Sequence, residues 1–173
     1  MKNIPGWFPK TNQETLEMLI KKHNVKTVLE IGTFVGLSAV WFAERVERVY
    51  TVDPFDAITR IDYLRDEWKQ AAKNQFERFI ENTKQFGNIV SIVNTSEGAY
   101  ETMDKEKMFD LIYIDGSHEY EDVKKDIEIW APHAKLVICG DDYTESWPGV
   151  KQAVDECGLN VNKNQRCWFV EKV

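Results

Sequence analysis

Nowhere in the 173 residues does an apolar run approach the length that a membrane-spanning helix needs. Met1 to Lys10 also lacks the apolar core of a secretory signal. Both absences predict a cytoplasmic protein with no membrane partner. Cysteine is scarce: Cys139, Cys157 and Cys167 are odd in number and have no CxxC spacing. That pattern offers no disulfide framework and suits free thiols in a reducing compartment. Cys139 sits in the apolar run Leu136-Val137-Ile138-Cys139 and reads as core. Positive charge is in deficit, with 22 Lys and Arg against 29 Asp and Glu and a net charge of −7. No basic stripe is present; Lys124 and Lys125 lie among the acids of EYEDVKKDIE. Nucleic acid is therefore not expected as a partner. Repeats and low-complexity segments are missing as well.

What is there suits one folded domain over residues 1–173, with 43% hydrophobic and 29% charged residues. Thr11-Asn12-Gln13-Glu14 has capping-box spacing ahead of Leu16, Leu19 and Ile20, which predicts a first helix. Short apolar runs follow at Thr27–Ile31, Val49–Asp53, Ile89–Val93, Phe109–Ile114, Lys135–Cys139 and Cys167–Val170. Helical stretches separate them. One spans Leu37 to Val46, another carries Tyr120, Val123, Ile127 and Trp130 on one face, and a third starts at Pro148 and runs to about Glu156. A long amphipathic segment covers about 56–86, with Ile61, Leu64, Trp68, Phe76, Phe79 and Ile80 at helical spacings. Strands alternating with helices predict an α/β fold, a Rossmann-like doubly wound and mostly parallel sheet with helices on both faces.

In such a sheet, ligands bind beyond the carboxyl ends of the strands. Glu30, Asp53, Ser96, Asp115, Asp141 and Asp142 all fall at or just past predicted strand ends. Gly32 and Gly36 bracket the first strand-to-helix turn, Glu30-Ile31-Gly32-Thr33-Phe34-Val35-Gly36. They allow a tight turn and a close approach of backbone. The GxGxxG spacing of a pyrophosphate site is missing, and Glu30 suits a cationic ligand instead. Asp53 ends the second strand, where a carboxylate can accept ribose hydroxyls. Plain alternatives stand beside these readings: strand–helix packing for the glycines, and a turn cap before Pro54 for Asp53.

The run VLEIGTFVGLSAVWFAERVERVYTVDP, Val28 to Pro54, resembles motifs I and II of the catechol and caffeoyl-CoA O-methyltransferase group. It is also similar to the macrocin O-methyltransferase-like branch of class I enzymes. The resemblance runs from about Val28 to Val154 and implies an S-adenosylmethionine-dependent methyltransferase. It implies that Glu30, Gly32, Thr33, Phe34 and Gly36 wrap the methionine part and that Ser38 meets its carboxylate. Asp53 would hold the ribose, and Ser96 with Glu97 would lie against the adenine, with Asp115 bordering the cofactor.

Three carboxylates converging from adjacent strand ends repel one another unless a cation intervenes. Asp115, Asp141 and Asp142 are therefore expected to bind a divalent metal, Mg²⁺ by ligand type, as the resembling enzymes do. The resemblance also implies a base near Asp115. The catechol group has a lysine there, whereas this chain has His118, as the macrolide-sugar branch does; a histidine can take a hydroxyl proton near neutral pH. The alternatives are a helix-start role for His118 and a turn with an N-cap for Asp141 and Asp142. His23 and His133 read as structural. Trp7, Phe8 and Trp147 are candidates to wall a substrate pocket.

The expected activity is metal-assisted O-methylation of a small hydroxylated acceptor, with a sugar in view. The rivals are metal-independent N- or O-methylation, a non-catalytic cofactor-binding subunit and, last, a nicotinamide-dependent oxidoreductase. Only 27 residues precede Val28, fewer than catechol-type enzymes carry. Residues 56–86, with Tyr63, Trp68, Phe76 and Phe79, are expected either to make a homo-oligomer, a dimer, or to fold back as a lid.

Overall fold

Beta-branched and aromatic residues crowd the short apolar runs, and each run forms a strand in the computed structural model, which describes residues 4–55 and 66–172. The chain runs α1 (Lys10–His23), β1 (Thr27–Ile31), α2 (Leu37–Ala43), β2 (Arg48–Asp53), α3 (Asp66–Lys73), α4 (Gln75–Thr83) and β3 (Ile89–Val93). It continues through α5 (Ser96–Thr102), β4 (Phe109–Ile114), α6 (Tyr120–Trp130), β5 (Ala134–Gly140), α7 (Pro148–Glu156), β6 (Asn162–Asn164) and β7 (Cys167–Glu171). The strands lie in the order β3-β2-β1-β4-β5-β7-β6. β1 to β5 pair in parallel, and β7 joins antiparallel to both β5 and β6. This is the doubly wound, mostly parallel α/β sheet expected from the sequence.

The two-residue period of a strand sorts its side chains onto two faces. Leu29, Ile31, Ile112, Ile114 and Ile138 pack with Val123, Ile127 and Trp130 of α6 and with Val150, Ala153 and Val154 of α7. Val28, Leu111, Tyr113, Val137 and Cys139 pack on the other side with Leu16, Leu19 and Ile20 of α1 and with Trp41 and Phe42 of α2. Covering both faces is why these strands read as nearly continuous apolar runs. Strand order reverses between β1 and β4, so the crevice opens beyond Ile31 and Ile114.

Four local expectations change. The first helix is capped by the extended Pro9 with no side-chain cap, so Thr11 to Glu14 form its first turn. Asn12 is wholly buried there. α2 ends at Ala43 rather than near Val46, because the carbonyls of Phe42 and Val40 are closed off by the turn at Glu44. The long amphipathic stretch contains two helices, α3 and α4, interrupted at Asn74. Ile58, Ile61, Tyr63 and Leu64 lie outside the described residues. Finally, β6 is a fully exposed Asn-Lys-Asn strand with no apolar signal to announce it.

Candidate active site

The turn after β1 leaves the sheet at its switch point and is held by backbone contacts. Gly32 has φ +84, and a Cβ there would lie 2.4 Å from the Asp115 carbonyl oxygen and 2.5 Å from the Gly116 Cα. Gly36 has φ +89, and its missing Cβ makes room for Phe79 and Thr83 of α4, at 3.1 and 3.0 Å. Both glycines thus serve a close approach of protein to protein. Thr33 is buried, and Phe34 adopts a left-handed conformation at φ 51. Just upstream, Glu30 is completely buried. Its Oε1 accepts a short hydrogen bond from the Ser38 hydroxyl, and the buried Thr33 hydroxyl lies against the same carboxyl. Burial pushes the Glu30 carboxyl up to about 7.

Asp53 ends β2 and ties this turn in place. Its Oδ2 accepts from the backbone N–H groups of Thr33 (3.0 Å) and Phe34 (2.9 Å). Its Oδ1 accepts from the Phe55 N–H at 2.8 Å and from the Gln75 side-chain amide at 3.0 Å. Gln75 gave no sequence signal; it is one polar residue at the start of an amphipathic helix. Past β3, the Ser96 hydroxyl donates to Asp126 and accepts from the Trp130 indole N–H at 2.8 Å. Asp126 is buried and its carboxyl is pushed up to about 7 by that burial. The Glu97 side chain is largely exposed and faces Lys125 at 3.4 Å. Ser96 therefore braces α5 against α6, and Glu97 points to the surface.

On the other side of the switch point, Asp115 follows β4 and Asp141-Asp142 follow β5. His118 Nε2 makes a short hydrogen bond with Asp142 Oδ2, and Trp147 stacks on the His118 ring with centroids 4.2 Å apart. Tyr113 donates its hydroxyl to Asp115 at 3.3 Å. Burial, together with Asp141 and Glu30 nearby, raises the Asp115 carboxyl well above its ordinary range. Asp141 Oδ1 accepts from Arg166 Nε at 2.7 Å and from the Asp142 N–H. Arg166 Nη2 pairs in turn with Asp142 Oδ1. The wholly buried Asn12 of α1 lies against Tyr113 and Asp141.

The carboxylates expected to hold Mg²⁺ are thus not assembled as one set. Asp141 turns to Arg166, and the ligating atoms that come within 4.8 Å of one another belong to Asp115, His118 and Asp142. A divalent ion on the Asp141–Asp142 pair would meet a guanidinium already bonded to both. The physical reason is the one that suggested a metal, since adjacent carboxylates need a cation, and Arg166 is that cation. Of the expected set, Asp115 and Asp142 stay close enough to share an ion, with His118 rather than Asp141 as the third group. Among the pocket candidates, Trp147 stacks on His118, and Trp7 lies under Arg166 with its ring 5.5 Å from the guanidinium carbon. Phe8 is buried in the core against Trp41 and Tyr113.

A pH dependence of stability follows from Glu30. Its folded value of about 7 exceeds its ordinary 4.5. The folded form therefore holds the proton more tightly, and the associated stability is present at low pH and lost as pH rises through about 7. The shift corresponds to about 3 kcal/mol. Glu30→Gln is expected to be about 2–3 kcal/mol more stable than the wild type at pH 8 and nearly equal to it at pH 4.5. Urea unfolding of both proteins at the two pH values measures this. An unchanged difference between wild type and variant across that range would refute the assignment.

A methyltransferase-domain family matches residues 29–143. No curated protein sequence matches the chain. Among solved structures, an O-methyltransferase from Bacillus cereus in complex with SAH is 19% identical. It aligns over 98% of this chain and 85% of its own, at a TM-score of 0.66. The N-methyltransferase NodS from Bradyrhizobium japonicum is 14% identical over 92% and 91% of the two chains, at 0.62. A TDP-rhamnose 3′-O-methyltransferase of calicheamicin biosynthesis is 16% identical over 94% and 80%, at 0.60. At these identities the likeness is one of fold.

Proposed function

The chain belongs to the methyltransferase-domain family, and from that premise we propose that it O-methylates a small hydroxylated acceptor, with His118 as the base. As an S-adenosylmethionine-dependent methyltransferase it draws on a sulfonium methyl group supplied by the bound cofactor. The observation that carries the acceptor side is His118, its ring held between Asp142 and Trp147 beside Asp115 at the strand ends. With Nε2 bonded to Asp142, the ring is oriented, and the Asp142 carboxylate stabilises the imidazolium that forms when the acceptor hydroxyl gives up its proton. The rest of the rate comes from alignment of the acceptor oxygen with the methyl group.

On the cofactor side, support comes from Glu30. A fully buried carboxylate held only by hydroxyl groups is costly alone and suits the ammonium of the methionine moiety. Gly32, Thr33, Phe34 and Gly36 shape the turn beside it, and Ser38 reaches it from α2. Asp53 takes the ribose in this reading, and Ser96, bonded to Asp126 and Trp130, fixes the start of α5 near the adenine end. A sugar hydroxyl suits the acceptor side, in keeping with the TDP-rhamnose enzyme of similar fold. The described part of the 66–86 stretch favours a local wall over a dimer contact. Phe76 and Phe79 find Phe55 within their own chain, both at 5.1 Å between centroids, and Phe79 is buried.

Titration calorimetry with S-adenosylhomocysteine and with NAD tests the proposal. Binding of the former alone is expected. Asp53→Ala should weaken it by about 1.5–3 kcal/mol, the loss of charge-assisted hydrogen bonds. Because Asp53 also anchors Thr33 and Phe34, the variant should melt earlier, so binding is compared well below its melting temperature. Binding of NAD without S-adenosylhomocysteine would overturn the cofactor reading, and wild-type affinity in the folded variant would remove Asp53 from it.

A further inference from the structure

Two neighbouring carboxylates at the end of a buried strand are held ionised by a positive partner or not at all. Here the partner comes from far along the chain. Arg166 sits in the tight turn between β6 and β7, where Gln165 takes a left-handed φ of 55. Its carbonyl accepts from the Tyr143 N–H at 2.9 Å, which pins the turn against the segment carrying the acids. Asn164 adds a second tie, donating its side-chain amide to the Thr15 hydroxyl of α1 at 2.9 Å. From that fixed point the guanidinium bridges the pair, with Nε on Asp141 and Nη2 on Asp142.

We infer that Arg166 is the built-in cation of this site, standing where a divalent metal would otherwise sit and setting the orientation of Asp142 toward His118. The inference rests on the proposed acceptor side but not on the cofactor. A planar guanidinium can serve two carboxylates at once and stays charged at any working pH. It also meets the need that would draw in a metal. Of the three groups that lie close enough to share an ion, His118 and Asp142 already face each other in a hydrogen bond, and the second oxygen of Asp142 is on Arg166. A hard divalent ion needs several oxygen ligands and would enter beside a fixed positive charge. Arg166 is thus a positioning residue, acting through Asp142.

The test is Mn²⁺ binding to chelator-stripped protein, followed by electron paramagnetic resonance. Wild-type protein is expected to take up no stoichiometric Mn²⁺ at about 100 μM. Arg166→Gln, which stays polar but is shorter and uncharged and so frees both acids, is expected to bind it at least about tenfold more tightly. A purely structural arginine would lower stability without creating a metal site. Stoichiometric Mn²⁺ on the wild type overturns the inference, as does a folded Arg166→Gln with no gain in affinity. Should the variant fail to fold by circular dichroism, the wild-type titration decides alone. S-adenosylhomocysteine binding is measured separately, so failure of the cofactor reading is not confused with failure of this one.

Discussion

Replacing His118 with alanine is expected to lower the rate of methyl transfer by about 10²–10⁴-fold while leaving S-adenosylhomocysteine binding intact. The split is the informative part. His118 sits with Asp142 and Trp147, across the switch point from the Glu30 and Asp53 side. In the proposed reaction, loss of its ring would remove the proton acceptor and leave the proposed cofactor side untouched. Its side chain is 28% exposed, so removal leaves no sealed cavity and stability should change little. The rate is read as S-adenosylhomocysteine released with an acceptor found by screening hydroxylated compounds. Wild-type turnover in the variant would remove His118 from the chemistry, and a preference for amines in the screen would replace O- by N-methylation.

Gly32→Ala should cost the fold a large part of its stability. The new Cβ would face the Asp115 carbonyl oxygen at 2.4 Å and the Gly116 Cα at 2.5 Å, and neither is a side-chain tip that can swing aside. The φ of +84 adds left-handed strain. Strain and overpacking together come to about 4 kcal/mol, a large part of the stability of an ordinary domain. That corresponds to a fall in Tm of roughly 8–16 °C. Gly87→Ala is the matched control: a Cβ there meets nothing within 4 Å, and no positive φ is required. Equal melting of the two variants would mean that the β1 and β4 ends are not locked together as described.

The parallel sheet was legible because burial on both faces imposes apolar runs that a sequence cannot hide. Thr27–Ile31, Ile89–Val93 and Phe109–Ile114 are strands at the bounds their composition suggests. β6 was not legible, since an exposed Asn-Lys-Asn edge strand forms by pairing with β7 rather than by burying anything. The strand-end acids were readable as a set, but their partners were not. Asp53 looks from sequence like a carboxylate facing a crevice, and its donors at Thr33, Phe34, Phe55 and Gln75 exist only once α4 has packed on the turn. Charge balance demanded a cation beside Asp141 and Asp142. It could not say that the cation lay 24 residues beyond Asp142, at the tip of a hairpin lacking a basic cluster. The signal available was Arg166 itself, between a polar stretch and the apolar Cys167–Val170 run.

The place of Arg166 in the chain has a consequence for synthesis. A ribosome delivers Asn12 and the Glu30 turn first, Asp115 and the Asp141–Asp142 pair much later, and the β6–β7 hairpin after both. β1 to β5 can pair as they emerge, because each neighbour in that part of the sheet is already out. Until the hairpin closes, the acid pair lacks its counter-charge and Asp142 has no fixed direction in which to hold His118. The corner that holds His118 is thus complete only once β7, antiparallel and last in the chain order of the sheet, has joined β5.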